Sequence, residues 1–251
     1  MRISLSPAEI QEAMQKLPRW MSINPAAPQV TDLKRNTASE TQNYLSSLCG
    51  KPSDRPVGYY HVSDISRRCL RQLFACRIGF EQKEGSRLQM LLKAKHGNAL
   101  HGMIEEIYKG TYGDKFSADV DATVSRICSI RGTADGVLDF GTHRRVMEFK
   151  STYSKSDAHR EQANMYCMAE EIKASEYGIV YFTKKSSEYI EDVYAFDPDM
   201  FNQSLITAIK VELAVKKRMP PPPLPKGNNF QCFDCNYKVI CNDLEVLCQV
   251  K

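Results

Sequence analysis

The sequence contains no apolar run long enough to cross a membrane. A spanning helix needs about 18 or more consecutive apolar residues, and no such run occurs in this chain of 251 residues. The N-terminal segment alternates polar and apolar side chains and has no uninterrupted apolar stretch typical of a secretory signal. We therefore expect a cytoplasmic protein with no membrane partner.

Two other features are absent. No GxxxxGK(S/T) phosphate loop occurs, so any ATP-driven step would need another subunit. No internal repeat is visible either. Net charge is also low, at +4, too small to indicate a nucleic-acid partner by its total alone.

What is present is the composition of a folded protein rich in cysteine. Hydrophobic residues make up 42% and charged residues 25% of the chain, which is ordinary for a globular protein of this length. Nine cysteines occur. In a reducing compartment they are not expected to form disulfides, so cysteines at ligand-like spacing are interpreted first as metal or cluster ligands.

Hydrophobic periodicity predicts an α/β protein with three regions. Residues 1–59 form an N-terminal helix, capped by Ser6, and an arm. Residues 60–219 form the core, and residues 220–251 form a proline linker and a cysteine-rich tail. Within the core, the order of elements is two helices, three antiparallel strands, a helix, two strands and a helix. This order suits a mixed sheet flanked by helices.

Three details of the core helices are also predicted. Residues 61–80 have the pattern of one basic amphipathic helix, with arginines on its exposed side. The next helix is expected to break or bend near Gly97. The last helix begins with Pro198 at its first position. Its predicted buried stripe consists of Phe201, Leu205, Ile209 and Leu213.

One predicted strand carries a pair of residues that indicates chemistry. Side chains at positions i and i+2 share a face of a strand, so Glu148 and Lys150 lie side by side while Phe149 faces the opposite layer. Asp135, on the preceding strand, can lie opposite Glu148. Two carboxylates that hold Mg²⁺ or Mn²⁺ beside an ammonium group suit hydrolysis of a phosphodiester. Alternatively, Asp135 and Gly136 form a turn, and Glu148 with Lys150 forms a solvated ion pair.

Three further residues strengthen the chemical interpretation. His101 lies on the helix before these strands and can supply another metal ligand, although a lone helical histidine is more often structural. Gln162 and Tyr166 are four residues apart, on one face of the helix after Lys150. They can bind a phosphate or a water network, although Tyr166 can equally be a core aromatic residue.

The tail has the spacing of a metal or cluster site. Cys232, Cys235 and Cys241 form a CxxCx₅C arrangement. We predict Cys69 as the fourth ligand, because it would fasten the tail to the start of the core. Both a [4Fe–4S] cluster and a structural zinc ion suit four thiolates. Alternatively, Cys248 completes a zinc site within the tail, or the thiols are simply buried.

The order of these residues resembles the RecB-like branch of the PD-(D/E)xK nuclease superfamily, over about residues 60 to 245. The resemblance rests on a histidine led by GNALH, an aspartate, an ExK and a following QxxxY. One cysteine before these motifs and CxxCx₅C after them resemble the CRISPR-associated RecB-like exonuclease family and AddAB-type helicase-nucleases. That family often has proline after the first cysteine, whereas Leu70 stands here.

The resemblance implies a restriction-endonuclease-like core, with a cysteine-ligated cluster lobe that joins the N- and C-terminal segments. It implies that Asp135 and Glu148 bind the catalytic metal ion, with His101 and the Phe149 carbonyl as further ligands. Lys150 would position the attacking water. Gln162 and Tyr166 would contact DNA or support the site, and the four cysteines would hold a [4Fe–4S] cluster.

Three basic groups could neutralise a DNA backbone, although such groups are usually solvated surface. They are Arg67, Arg68 and Arg71, then Lys184 and Lys185, and finally Lys216, Lys217 and Arg218. No recognition helix or zinc-finger reader is visible. We therefore expect binding of single-stranded DNA or DNA ends that is sensitive to salt and tolerant of sequence.

The leading hypothesis is therefore a metal-dependent DNA nuclease, an exonuclease or end-processing enzyme, with a structural [4Fe–4S] cluster. The alternative is a non-catalytic or zinc-bound DNA-binding accessory subunit of a helicase-nuclease or of a CRISPR adaptation complex. Integrase or helicase proteins are the partners that the resemblance suggests.

Overall fold

The computed structural model describes residues 58–66, 69–80, 87–152, 154–183 and 189–224, and in the tail residues 232, 235, 237–244 and 248. All of them belong to the compact unit Cys49–Lys251. The helix and arm predicted within residues 1–57 lie outside this description, as do Arg67, Arg68 and the turn at residues 184–188.

Six strands and five helices are described. In chain order they are β1 (Tyr60–His61), α1 (Val62–Ile65), α2 (Leu70–Arg77), α3 (Arg87–Tyr112), β2 (Phe116–Ser125), β3 (Ile130–Asp139), β4 (Arg144–Thr152), α4 (Asp157–Cys167), β5 (Glu176–Thr183), β6 (Tyr189–Ala195) and α5 (Pro198–Lys217). A short 3₁₀ turn, Gly113–Lys115, joins α3 to β2.

The strands form one mixed sheet. β2, β3 and β4 are antiparallel, as predicted, and β4 and β5 are parallel, connected through α4. β6 pairs antiparallel with β5, and the two-residue β1 pairs parallel with the start of β3. The predicted α/β fold, with a mixed central sheet flanked by helices, is confirmed. The restriction-endonuclease-like character of this core stays a prediction. The cysteine lobe stays a prediction.

A gap in the pairing of β3 positions the site. β2 occupies one edge of β3 from Ile130 to Leu138. The other edge is shared, because β1 pairs at Ile130 and Arg131, whereas β4 pairs only from Gly136 onward. Residues 132–135 therefore have no strand beside them on that edge within the described residues. We call this gap in the pairing of β3, residues 132–135, the notch.

Apolar side chains cover both faces of the sheet. Ile104 and Tyr108 of α3 pack with Phe149 and other residues on one face. The larger cluster lies on the opposite face, where residues from α1, α2, α4 and α5 are buried. Since Phe149 is fully buried beneath α3, it anchors the strand segment that carries Glu148 and Lys150.

The single basic helix predicted over residues 61–80 is wrong. Residues 60–61 pair as β1, and two short helices follow, with Cys69 in extended conformation before α2. Arg71 is 2% exposed instead of lying on a solvated face. It donates from Nε to the Cys241 carbonyl at 2.7 Å and from Nη1 to the Pro221 carbonyl at 2.6 Å. Arg71 thus holds the tail and is not available to bind DNA.

Two other helical details differ from prediction. α3 runs as one helix through Gly97. In α5, Pro198 takes the predicted first-turn position after the Asp197 cap, but the buried residues are Ser204, Ala208 and Val211. Small side chains allow that face to pack closely, and the Ser204 hydroxyl also donates to the buried Glu161 carboxylate at 2.9 Å. The predicted stripe is therefore rotated, and Ile209 and Leu213 are exposed.

Among the described residues, no helix has the length and apolar character that crossing a membrane requires.

Candidate active site

Asp135 closes the notch with its side chain. The backbone N–H of Phe149 donates to Asp135 Oδ2 at 2.7 Å, where a neighbouring strand would otherwise supply a carbonyl. Asp135 and Gly136 both lie inside β3, so the alternative of a turn is wrong. The β3–β4 pairing ends at Gly136 and Met147, and one further step in that register would bring Asp135 opposite Glu148. The two carboxylates lie near each other where the strands separate, since the Asp135 charge acts on Glu148.

Glu148 is buried beside Lys150. Only 1% of the Glu148 side chain is exposed, which excludes the alternative of a solvated ion pair. Lys150 Nζ donates to Glu148 Oε1, while Glu148 Oε2 is buried without a hydrogen-bond partner among the described residues. Burial raises the pKa of Glu148, and the Asp135 charge raises it further, against the opposing effect of Lys150. Burial likewise raises the pKa of Asp135.

His101 approaches from the α3 side of the sheet. Its Nδ1 lies 3.6 Å from Asp135 Oδ1, and its ring packs edge-on against Phe149 at 6.0 Å between centroids. Burial lowers the pKa of His101, and a hydrogen bond to the Phe149 backbone partly offsets this effect. In an extended strand the N–H and C=O of one residue point to the same edge, so the Phe149 carbonyl also faces the notch.

Gln162 contacts Lys150, and Tyr166 lies one turn further along α4. Lys150 Nζ donates to Gln162 Oε1 at 3.0 Å. The Tyr166 hydroxyl lies at the unpaired edge of β3, next to Gly132 and near Gln162 and the Thr133 backbone. Burial raises the pKa of Tyr166, so the phenol stays protonated. The two roles considered for Gln162 and Tyr166 were contact with DNA and support of the site. The described contacts of both residues lie within the site.

Gly132 makes room for the Tyr166 hydroxyl. A Cβ at residue 132 would lie 2.6 Å from that oxygen, and Tyr166 is buried and has little freedom to move. We predict that Gly132→Ala lowers the free energy of unfolding by about 1–3 kcal/mol. Denaturant unfolding measures this change. Gly110→Ala on α3 is the control, because a Cβ at that position would meet nothing within 4 Å.

Adding Tyr166→Phe to Gly132→Ala should restore part of the lost stability, because the oxygen in the way is removed. If the single and double variants were equally unstable, the contact between Gly132 and Tyr166 would not be the cause.

The donor set of the notch fits a hard divalent cation. Two carboxylates, an imidazole and a backbone carbonyl lie in and around the notch, and Glu148 Oε2, unpartnered among the described residues, is an acceptor that a cation would satisfy. Within the described part of the chain, no three His, Cys, Asp or Glu side chains already converge as a metal cage. One oxygen of each carboxylate already accepts a hydrogen bond, Glu148 Oε1 from Lys150 and Asp135 Oδ2 from the Phe149 N–H, and these oxygens are therefore not directed at a common point.

His159 lies on α4 close to the candidate site and was not predicted from the sequence. It lies one turn before Gln162 on α4, and its ring contacts Tyr181 at 5.8 Å between centroids. Burial and the Lys150 charge lower the pKa of His159 to about 4. Its Nδ1 is buried without a partner among the described residues. The available signal was its spacing, since residues 159, 162 and 166 share a helix face.

Cys69 lies near two of the three tail cysteines predicted as its partners. Burial raises the pKa of the Cys69 thiol, and the neighbouring Cys235 and Cys232 raise it further. The third tail cysteine, Cys241, lies close to α2, because Arg71 of that helix donates to the Cys241 carbonyl. Cys248, the alternative ligand, is buried in the large core cluster.

The predicted DNA-binding residues are described only in part. Lys216, Lys217 and Arg218 are exposed at the end of α5, where Arg218 adopts a left-handed conformation as the helix cap. Arg67, Arg68, Lys184 and Lys185 lie outside the described residues. Arg71 is buried, as shown above.

No protein-family model matches the sequence, and no curated protein matches it. Solved structures do match. The structure titled "Crystal structure of SSO0001" aligns with a TM-score of 0.52 and 19% identity, over 81% of this chain and 96% of that one. At this identity, the similarity shows a shared fold.

An alkaline exonuclease from Laribacter hongkongensis, LHK-Exo, also aligns with this chain. Its TM-score is 0.48 at 10% identity, over 64% of this chain and 89% of that one. Its complex with dAMP aligns with the same score at 11% identity, over 64% and 91%. Both scores are below the level at which a shared fold can be concluded.

Proposed function

We propose that the protein is a metal-dependent nuclease that hydrolyses phosphodiester bonds in DNA. The observation that carries this proposal is the buried Glu148, paired with Lys150 on one oxygen and unpartnered on the other within the described residues, beside Asp135 in the notch. A purely structural ion pair would not require an unpartnered buried oxygen. The same feature disfavours a non-catalytic accessory subunit.

Asp135, Glu148, His101 and the Phe149 carbonyl would hold Mg²⁺ or Mn²⁺. When bound, the cation would neutralise charge on the phosphate and lower the pKa of a coordinated water.

The chain's own groups perform the other tasks. Lys150 carries three N–H donors, two of which are used by Glu148 and Gln162. The third can orient the attacking water or stabilise the developing negative charge. Gln162 holds the ammonium in place by accepting from it, and Tyr166, one turn later on α4, packs against β3 at Gly132.

Incubation of labelled single-stranded DNA with Mg²⁺ or Mn²⁺ tests the proposal. We expect cleavage by the wild-type protein and none by Asp135→Asn. Asp139→Asn is the matched control on the same strand, because Asp139 is exposed and bonded to Arg144, away from the notch. Wild-type protein without cleavage in either metal, or full activity of Asp135→Asn, would contradict the proposal.

The substrate that we infer is a single-stranded DNA end. A cation held by carboxylates and an ammonium group would contact phosphate and not bases, and the exposed Lys216, Lys217 and Arg218 can bind a backbone in a sequence-independent manner. Digestion of linear single-stranded, circular single-stranded and blunt duplex DNA distinguishes the alternatives. Rapid cutting of the circle would exclude a requirement for ends, and equal cutting of the duplex would exclude a single-strand preference.

We also propose that Cys69, Cys232, Cys235 and Cys241 bind a [4Fe–4S] cluster with a structural role. Its support is the proximity of Cys69 to Cys232 and Cys235. Cys69→Ser should abolish the broad visible absorption of the cluster and reduce soluble yield, because the tail loses its attachment. Iron analysis and absorption spectra measure the result.

Cys76→Ser, on α2 beside Cys69, is the control and should retain its iron. If the purified protein is colourless and contains zinc, the four cysteines bind zinc and not an iron–sulfur cluster. Loss of metal in Cys248→Ser, with retention in Cys69→Ser, would assign the fourth ligand to Cys248.

A further inference from the structure

We propose that His159 is a positioning residue for Lys150, offering its Nδ1 as an acceptor when Glu148 no longer accepts from the ammonium. This inference rests on the proposed nuclease function. It adds a residue that neither the ExK nor the QxxxY pattern contains.

The geometry brings His159 to the same side of the sheet as Lys150. Lys150 and Tyr181 are direct neighbours in the parallel register of β4 and β5. The His159 ring rests against the Tyr181 ring, and His159 is three residues before Gln162, which already bonds Lys150. Two consecutive turns of α4 thus place an imidazole and a carboxamide on the side of the sheet where Lys150 lies.

The hydrogen-bonding capacities of the two groups are complementary. Two of the three Lys150 donors have described acceptors, Glu148 Oε1 and Gln162 Oε1. Nδ1 of His159 is buried and has no partner within the described residues. Leaving a buried nitrogen without a hydrogen bond costs free energy, and a donor close by in another state of the site would remove that cost.

We expect Nδ1 of His159 to accept a hydrogen bond when the Glu148 carboxylate binds another ligand, such as the proposed cation. When Oε1 of Glu148 turns from Lys150 to that ligand, the ammonium loses one of its two described acceptors and needs another to keep its orientation. His159 can provide it only as the neutral tautomer protonated at Nε2. The lowered pKa of His159, caused by burial and by Lys150, is consistent with a neutral ring.

Kinetics of three variants on single-stranded DNA test the role. His159→Leu should lower kcat about 10–100-fold and leave KM nearly unchanged, since the residue acts through Lys150 and not on substrate binding. His159→Asn places an amide group near the Nδ1 position and should recover most of kcat. His143→Leu is the histidine control, because His143 bonds Glu176 near the opposite end of β4.

A structure of the Glu148→Ala protein provides a test that does not depend on activity. With the carboxylate removed, Lys150 Nζ should lie about 2.7–3.2 Å from His159 Nδ1. If wild-type protein cleaves no DNA, the proposed function fails while this structure still decides whether His159 can receive Lys150. Lys150 bonded to Gln162 alone, or equal impairment of the Leu and Asn variants at equal stability, would overturn the positioning role.

Discussion

Replacing Glu148 with glutamine should abolish DNA cleavage and at the same time stabilise the metal-free protein. Loss of the carboxylate removes a proposed cation ligand, and we expect activity to fall on the order of a thousandfold or more. The stability gain follows from burial, because Glu148 is 1% exposed and lies beside Asp135. Removing that charge near neutral pH should raise the free energy of unfolding by about 1–2 kcal/mol.

The pH dependence of stability checks the cause of this gain. Burial raises the pKa of Glu148 in the folded protein above the unfolded value of about 4.3. Between these two values the folded state holds more protons than the unfolded state. Stability of the wild-type protein in chelator should therefore fall as pH rises through this window.

Denaturant unfolding at several pH values, with and without Glu148→Gln, measures both effects. The substitution should flatten the pH dependence. Glu176→Gln is the control, because Glu176 lies at the start of β5 and pairs with Arg145 and His143. A Glu148→Gln protein that is both inactive and less stable than wild type near neutral pH would mean that Glu148 is a structural residue.

Replacing Lys150 with methionine should be nearly as damaging to turnover, with the opposite effect on stability. The ammonium group would no longer orient the water or stabilise the developing charge, and kcat should fall about 10²–10³-fold. Binding of DNA should change little, because the exposed basic side chains that we propose as phosphate contacts are retained. Stability near neutral pH should fall by a few kcal/mol, since a buried carboxylate is left without its partner.

Single-turnover cleavage and DNA binding in chelator separate these effects. Lys210→Met, on the solvent face of α5, is the control. Adding Glu148→Gln to Lys150→Met should restore stability without activity, because the unpartnered charge is removed. Wild-type kcat in the Lys150→Met protein would exclude the assigned role of this lysine.

The sequence by itself determined the strands and the local part of the site. Alternating side chains predicted β2, β3 and β4, and the spacing of Glu148 and Lys150 placed both on one face because strand periodicity is a local property. The relation of Gln162 to Tyr166 follows in the same way from helical periodicity.

Only the tertiary structure decided how these elements form a site. The notch exists because β1 and β4 share one edge of β3, and a strand of two residues carries no periodic signal. Arg71 has the charge of a DNA-binding residue, yet its position beneath the tail uses its donors for two backbone carbonyls. His159 and Gly132 acquire roles only through contacts with β4, β5 and α4, because long-range packing cannot be inferred from local periodicity.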